Sequence, residues 1–119
     1  MSVLQSRGYR RIQVTIANGA SLSGVAGLGR GVSLVGIVMP AAWTTAGLSF
    51  QASADSTNFA DLYDSGSEYT VAAGASRYIQ IPADKTDSIM ALKVRSGTTG
   101  TPVNQGADRV ITLIVRDRV

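Results

Sequence analysis

The sequence predicts an all-β fold: a single-domain antiparallel β-sandwich or jelly roll with long Gly-rich loops. Three observations predict it. Short apolar runs alternate with polar residues at a period of two, the pattern of a strand with one buried and one wet face. Glycines and Ser/Thr/Asn/Asp clusters recur between those runs and serve as turn punctuation. No window carries apolar residues at i, i+3, i+4 and i+7 over the ~10–12 residues that a helix needs.

Taken in order, Ile12, Val14 and Ile16 alternate with Arg11, Gln13 and Thr15. Leu34 to Met39 is apolar apart from one glycine, which predicts a strand covered on both faces. A single helical turn is expected around Ala41 to Ala46, with Trp43 closing one end of the core. Leu48, Phe50 and Ala52 alternate with Ser49, Gln51 and Ser53. Glu68 to Val71 and Tyr78 to Ile81 read as two further strands, with an additional one from Asp61 to Tyr63. Met90, Leu92 and Val94 follow, and then Ile111, Leu113 and Val115 alternate with Thr112, Ile114 and Arg116. The expected core is therefore Ile12, Val14, Ile16, Leu34, Ile37, Leu48, Phe50, Leu92, Val94, Ile111, Leu113 and Val115.

A chain of 119 residues is the size of one domain, and no linker divides it. Residues 1–119 are read as one sandwich, with 1–31 holding an N-terminal arm and a Gly-rich loop. That loop, Ala17 to Gly31, and a second from Ser96 to Ala107 are too long for tight turns, and loops of ~12–15 residues are usually functional. Leu22, Val25, Leu28 and Val32 punctuate the first loop with apolar side chains and predict an arm that packs on a neighbour.

Composition removes whole classes of chemistry. The chain has no cysteine and no histidine, which excludes thiol catalysis, disulfides, Cys/His zinc sites and imidazole acid–base work. A net charge of +3 is too small to imply a polyanion, so no nucleic acid partner is expected. Leu34 to Trp43 is too short for the ~18–20 residues of a membrane helix, and the N-terminus lacks the apolar segment of a secretory signal. All but two of the cations are arginines, which suit carboxylates at protein interfaces.

No motif supplies a catalytic, cofactor or metal site. The run Gly27-Leu28-Gly29-Arg30-Gly31 has Leu34 where a dinucleotide fingerprint needs glycine. Asp55, Asp61, Asp64 and Glu68 cluster without calcium-loop spacing, and Asp55 and Asp64 sit among natural turn formers. Ser88 lies near Lys85, but no spacing supports its activation. Phe59, Tyr63 and Tyr69 flank the acidic turn, an arrangement that β-sandwich lectins use to stack sugars. The chain is read as a non-enzyme.

Two segments, LSFQASADSTNFADLYDSGSEYTV (Leu48 to Val71) and LKVRSGTTGTPVNQGADRVITLIVR (Leu92 to Arg116), resemble small virion structural proteins of tailed bacteriophages and prophages. The likeness extends over most of the chain after Gly36, including Met39-Pro40-Ala41-Ala42-Trp43. Leu48 to Tyr63 also looks like a discoidin-type sandwich, which carries a carbohydrate-binding alternative. The phage resemblance implies a head decoration or cement protein on the outer surface of the capsid, made in the host cytoplasm. A minor tail or connector protein is the other virion position it allows. The implied partners are the major capsid protein and copies of the chain itself as a homo-oligomer. Contacts are then expected from Arg7, Arg10 and Arg11 of the arm, Leu22, Val25, Leu28 and Arg30 of the first loop, and Val103 and Asn104 of the second. Both loops are expected to order on docking.

Overall fold

Alternating side chains fold this chain into two facing sheets. The computed structural model describes residues 8–117. Its strands are β1 (Tyr9–Ile16), β2 (Ala26–Gly27), β3 (Val32–Val38), β4 (Leu48–Ser53), β5 (Ala60–Asp61), β6 (Tyr63–Asp64), β7 (Ser67–Glu68), β8 (Tyr78–Gln80), β9 (Ala91–Ser96) and β10 (Arg109–Asp117). One sheet has the order β1-β10-β3-β8 and the other β2-β9-β4-β5, while β6 and β7 form a separate hairpin. With that hairpin set aside, β1 pairs with β10, β2 with β9, β3 with β8 and β4 with β5. Those four pairs are the rungs of one long antiparallel ribbon. Wrapping the ribbon sets β10 beside β3 and β9 beside β4. This is jelly-roll order.

The core lies between the sheets. Val14, Ile16, Leu34, Ile37, Ile111, Leu113 and Val115 from the first meet Leu48, Phe50, Leu92 and Val94 from the second. Ile12 is half-buried at the margin. Each fully buried aliphatic or aromatic side chain contributes about 1.5–3 kcal/mol through its removal from water. Phe50 is the largest of them, and its ring centroid stands 6.0 Å from that of Tyr69.

The apolar run of β3 has a different cause from the one its composition predicts. Leu34 pairs with Val115 and Gly36 with Ile114, so Val35 is an extra residue in a β-bulge. Val32 and Leu34 enter the core before the bulge, and Ile37 and Met39 enter it afterwards. A bulge shifts the phase of a strand, and the run is apolar because the buried face changes parity. Among the described residues no second layer covers the outer side, where Val35 and Val38 are only half-buried.

Residues Ala41 to Ala46 form no helical turn. Their neighbourhood bonds to distant segments instead: Met39 N–H donates to the Arg77 carbonyl at 2.8 Å and Ser76 N–H to Pro40 at 2.9 Å. Trp43 packs against the core and donates from Nε1 to the Ala46 carbonyl at 3.0 Å. The one short helical element described is a 3-10 turn, Ala83–Lys85. Thr86, just after it, straps that turn to β3: its hydroxyl accepts from Leu34 N–H at 2.9 Å and donates to the Leu34 carbonyl at 3.1 Å.

The two glycine-rich loops are fastened to the body of the protein. Inside Ala17 to Gly31 lies β2, and Ser23 and Leu28 donate backbone hydrogen bonds to Val94 and Met90, each at 2.8 Å. In the second loop, Gln105 is 1% exposed and holds Thr44 from both sides. Its Oε1 accepts from Thr44 N–H at 2.8 Å, and its Nε2 donates to the Thr44 carbonyl at 3.0 Å and to Ser96 Oγ at 2.7 Å. Gly97 has φ of +89°, and a Cβ there would collide with the Thr101 carbonyl. Backbone ladders and a buried amide thus already order these loops in the free chain.

Candidate functional site

The outer faces of the two sheets differ. On the second sheet, Lys93 Nζ sits 4.7 Å from the centre of the Phe59 ring. Arg95, only 7% exposed, meets Asp61 at 2.8 Å and Glu68 at 3.3 Å. It also donates to Ser49 Oγ and Thr99 Oγ1. The segment from Phe59 to Glu68 therefore occupies that face and uses its cations. Asp61 is held below the ordinary carboxylate range, chiefly by its hydrogen bond from Arg95.

Among the described residues, nothing covers the outer face of the first sheet. An open groove of about 540 Å³ is lined by Tyr9, Arg11, Val35, Tyr78, Gln80, Ile114 and Arg116. Register places these side chains together. Tyr9 lies opposite Arg116 and Arg11 opposite Ile114, so the two arginines are diagonal neighbours on one face, a spacing of ~7–8 Å. Ile114 lies beside Gly36, and Gly36 beside Gln80. Tyr9 and Tyr78 remain 64% and 63% exposed. Among the described residues, neither Arg11 nor Arg116 forms an ion pair.

Gly36 shapes this groove. A Cβ on it would lie 3.0 Å from Tyr78 Cε1 and 3.3 Å from the Tyr78 hydroxyl, so the missing side chain lets the Tyr78 ring lie down across β3. We expect Gly36→Ala to lift the ring and change the aromatic NMR signals of Tyr78. Stability should move by less than about 1 kcal/mol, because glycine in a strand is itself unfavourable by a similar amount. Denaturant unfolding checks the second half.

Chain folding disperses the residues expected to make contacts. Arg7 lies outside the described residues. Arg10 and Arg11 belong to β1 and not to a free arm, and strand alternation sends them to opposite faces. Arg10 Nη2 reaches the Leu28 carbonyl at 3.3 Å, and only Arg11 joins the groove. Leu28 is 1% exposed and belongs to the chain's own core, so it cannot serve as a docking residue. Leu22 is half-buried and bridges to Arg95, whereas Val25 and Arg30 are exposed. Val103 is half-buried and Asn104 exposed, on a different loop. Tyr9, Tyr78, Gln80 and Arg116 are the groove residues that sequence reading passed over. Their signal was Ile114, an apolar side chain at an outward position of β10.

The carboxylates have structural work. Asp55 accepts from Thr57 and Asn58 N–H at 2.9 and 2.8 Å, which holds its carboxyl well below the usual range. Asp64 pairs with Lys85 at 2.7 Å, Asp87 accepts from the Ser33 hydroxyl, and Asp108 accepts from Asn18 N–H. Hydrogen bonding to Asp64 raises the Lys85 pKa above its ordinary value. Lys85 is therefore charged and turned towards Asp64, which unfits it as a base for Ser88. No family model matches this sequence, and no curated protein does. Among the described residues no cluster of carboxylates could hold a metal ion. What the first sheet presents instead is an open face with unneutralised cations, two available aromatic rings and an apolar floor.

Proposed function

We propose that this chain is a non-enzymatic structural protein of a tailed-phage virion. In this reading it is a head decoration or cement protein that binds the outer capsid surface, bridges neighbouring major capsid subunits and stabilises the shell. The observation that carries the reading is the Tyr9/Arg11/Tyr78/Arg116 face. Tyrosine and arginine are the residues that dominate protein–protein binding energy when they surround an apolar centre. The resemblance of Leu48 to Val71 and Leu92 to Arg116 to phage virion proteins supplies the biological setting. Jelly rolls serve in viral capsids and in lectins alike, so the fold is compatible with the role without deciding it.

Self-association as a homo-oligomer belongs to the same proposal. Its support is the edge position of β1, an eight-residue strand that among the described residues pairs only with β10, since unpaired edges are templates for another chain. Apolar loop residues no longer argue for it. The carbohydrate-binding reading has one observation of its own: Tyr63 is exposed beside a small cleft lined by Asp64, Tyr69, Asp84 and Lys85. A glycan array with wild type and Tyr63→Ala addresses that alternative.

Copy number tests the main proposal. Densitometry of purified virions should show this chain at a ratio comparable to the major capsid protein. A few copies per particle would place it in the tail or connector, and absence from virions would end the virion reading.

A further inference from the structure

We infer that the groove on the first sheet is an acidic-peptide site: it takes an extended, Asp/Glu-bearing segment of a partner protein. This rests on the proposed binding role and gives that role a ligand chemistry. Charge is the first argument. Asp55, Asp61, Asp64, Glu68, Asp87 and Asp108 are each engaged within the chain, while Arg11 and Arg116 have no ion-pair partner among the described residues. Among the described residues only Lys85 and Arg95 form ion pairs, and of the remaining cations Arg11 and Arg116 are the two that line one open groove. Two guanidinium groups at diagonal positions repel each other until carboxylates neutralise them, and each offers a planar fork that fits a carboxylate with two hydrogen bonds.

Shape is the second argument. The groove is open and crosses several strands, from Tyr9 on β1 to Tyr78 on β8, which suits an extended chain better than a compact small molecule. Its floor, Val35 and Ile114, offers apolar contact between the arginines and the Tyr78 ring. That ring lies over Gly36 with its other side towards solvent, a surface for the apolar or peptide-plane part of the same segment. Acidic side chains would lie at the Arg11/Arg116 end and the uncharged part at the Tyr78 end.

The experiment uses the full chain and a capped hexaglutamate peptide as probe, followed by amide NMR shifts and calorimetry. Shifts should concentrate on β1, β3, β8 and β10, and affinity should fall as salt rises. The double variant Arg11→Gln/Arg116→Gln should weaken binding by about tenfold or more, since each charge-assisted hydrogen bond lost is worth roughly a factor of ten. Arg30→Gln/Arg77→Gln removes the same charge elsewhere and should leave binding unchanged, with unaltered thermal melting as the check on folding. Equal weakening in both double variants would reduce the effect to net charge and overturn the site. Tighter binding of a polygalacturonate hexamer than of the peptide would reassign the groove to acidic glycan and overturn the peptide inference. Failure of the peptide with high copy number in virions removes only this inference. Peptide binding with absence from virions removes only the virion role.

Discussion

Replacing Arg95 with methionine should destabilise the protein by about 2–4 kcal/mol in urea unfolding at neutral pH, because breaking a buried ion pair strands the surviving charges. Arg95 is 7% exposed and satisfies Asp61, Glu68, Ser49 and Thr99 together. Asp61 is the more solvated of the two acids, which keeps the effect below the upper end seen for fully buried pairs. The triple variant Arg95→Met/Asp61→Asn/Glu68→Gln should recover more than half of the loss, since it removes the stranded charges as well. Failure to recover would mean that Arg95 acts through packing alone. The pH dependence has a defined sign. Asp61 has a folded-state pKa below its unfolded value. Its contribution is complete above the ordinary aspartate value of about 3.9 and disappears as pH falls through the lowered folded value. Arg95→Met should therefore show a smaller acid-induced loss of stability than wild type.

Gln105→Leu should cost a comparable amount, about 2–4 kcal/mol by calorimetry or denaturant unfolding. Leucine fills similar space but leaves the Thr44 N–H and carbonyl without the partners they have in the native protein, together with Ser96 Oγ and one bond from Arg109. Buried groups that lose a partner carry the full desolvation penalty. A change below about 1 kcal/mol would show that water replaces the amide and that the loop is not pinned from within.

The legible part of this fold was its alternation. Val14 and Ile16 announce their inward faces because Gln13 and Thr15 alternate with them, and Ile111, Leu113 and Val115 keep the same period although Val110 and Ile114 on the outward side are apolar; the structure buries all five. Three features escaped for specific physical reasons. The β3 run looks doubly buried in sequence because a bulge at Val35 leaves no polar residue to mark the change of face. β2 is two residues long, includes a glycine and has no period, so only its pairing with β9 defines it. The groove could not be read because Tyr9, Tyr78 and Arg116 come from three strands, and pairing order decides which outward residues meet. Arg10 and Arg11 show the limit from the other side. They are adjacent in sequence and lie on opposite faces of the sheet.

The wrapped-ribbon topology has a consequence for the order in which this protein is assembled. β10 sits between β1 and β3 and provides β1 with its ladder, yet it follows every other strand in the chain. During synthesis β1 emerges first and waits, with Tyr9 unable to meet Arg116 until about a hundred further residues are made. Local hairpins such as β6–β7 close early, but the first sheet cannot form from the nascent N-terminal portion. Long-range pairing of this kind slows folding. The edge of β1, with Ile12, Val14 and Ile16 uncovered, is the surface most exposed to wrong partners during that interval. Arg10 and Arg11 are exposed charges within that strand, the kind of residue that disfavours wrong pairing of a waiting edge.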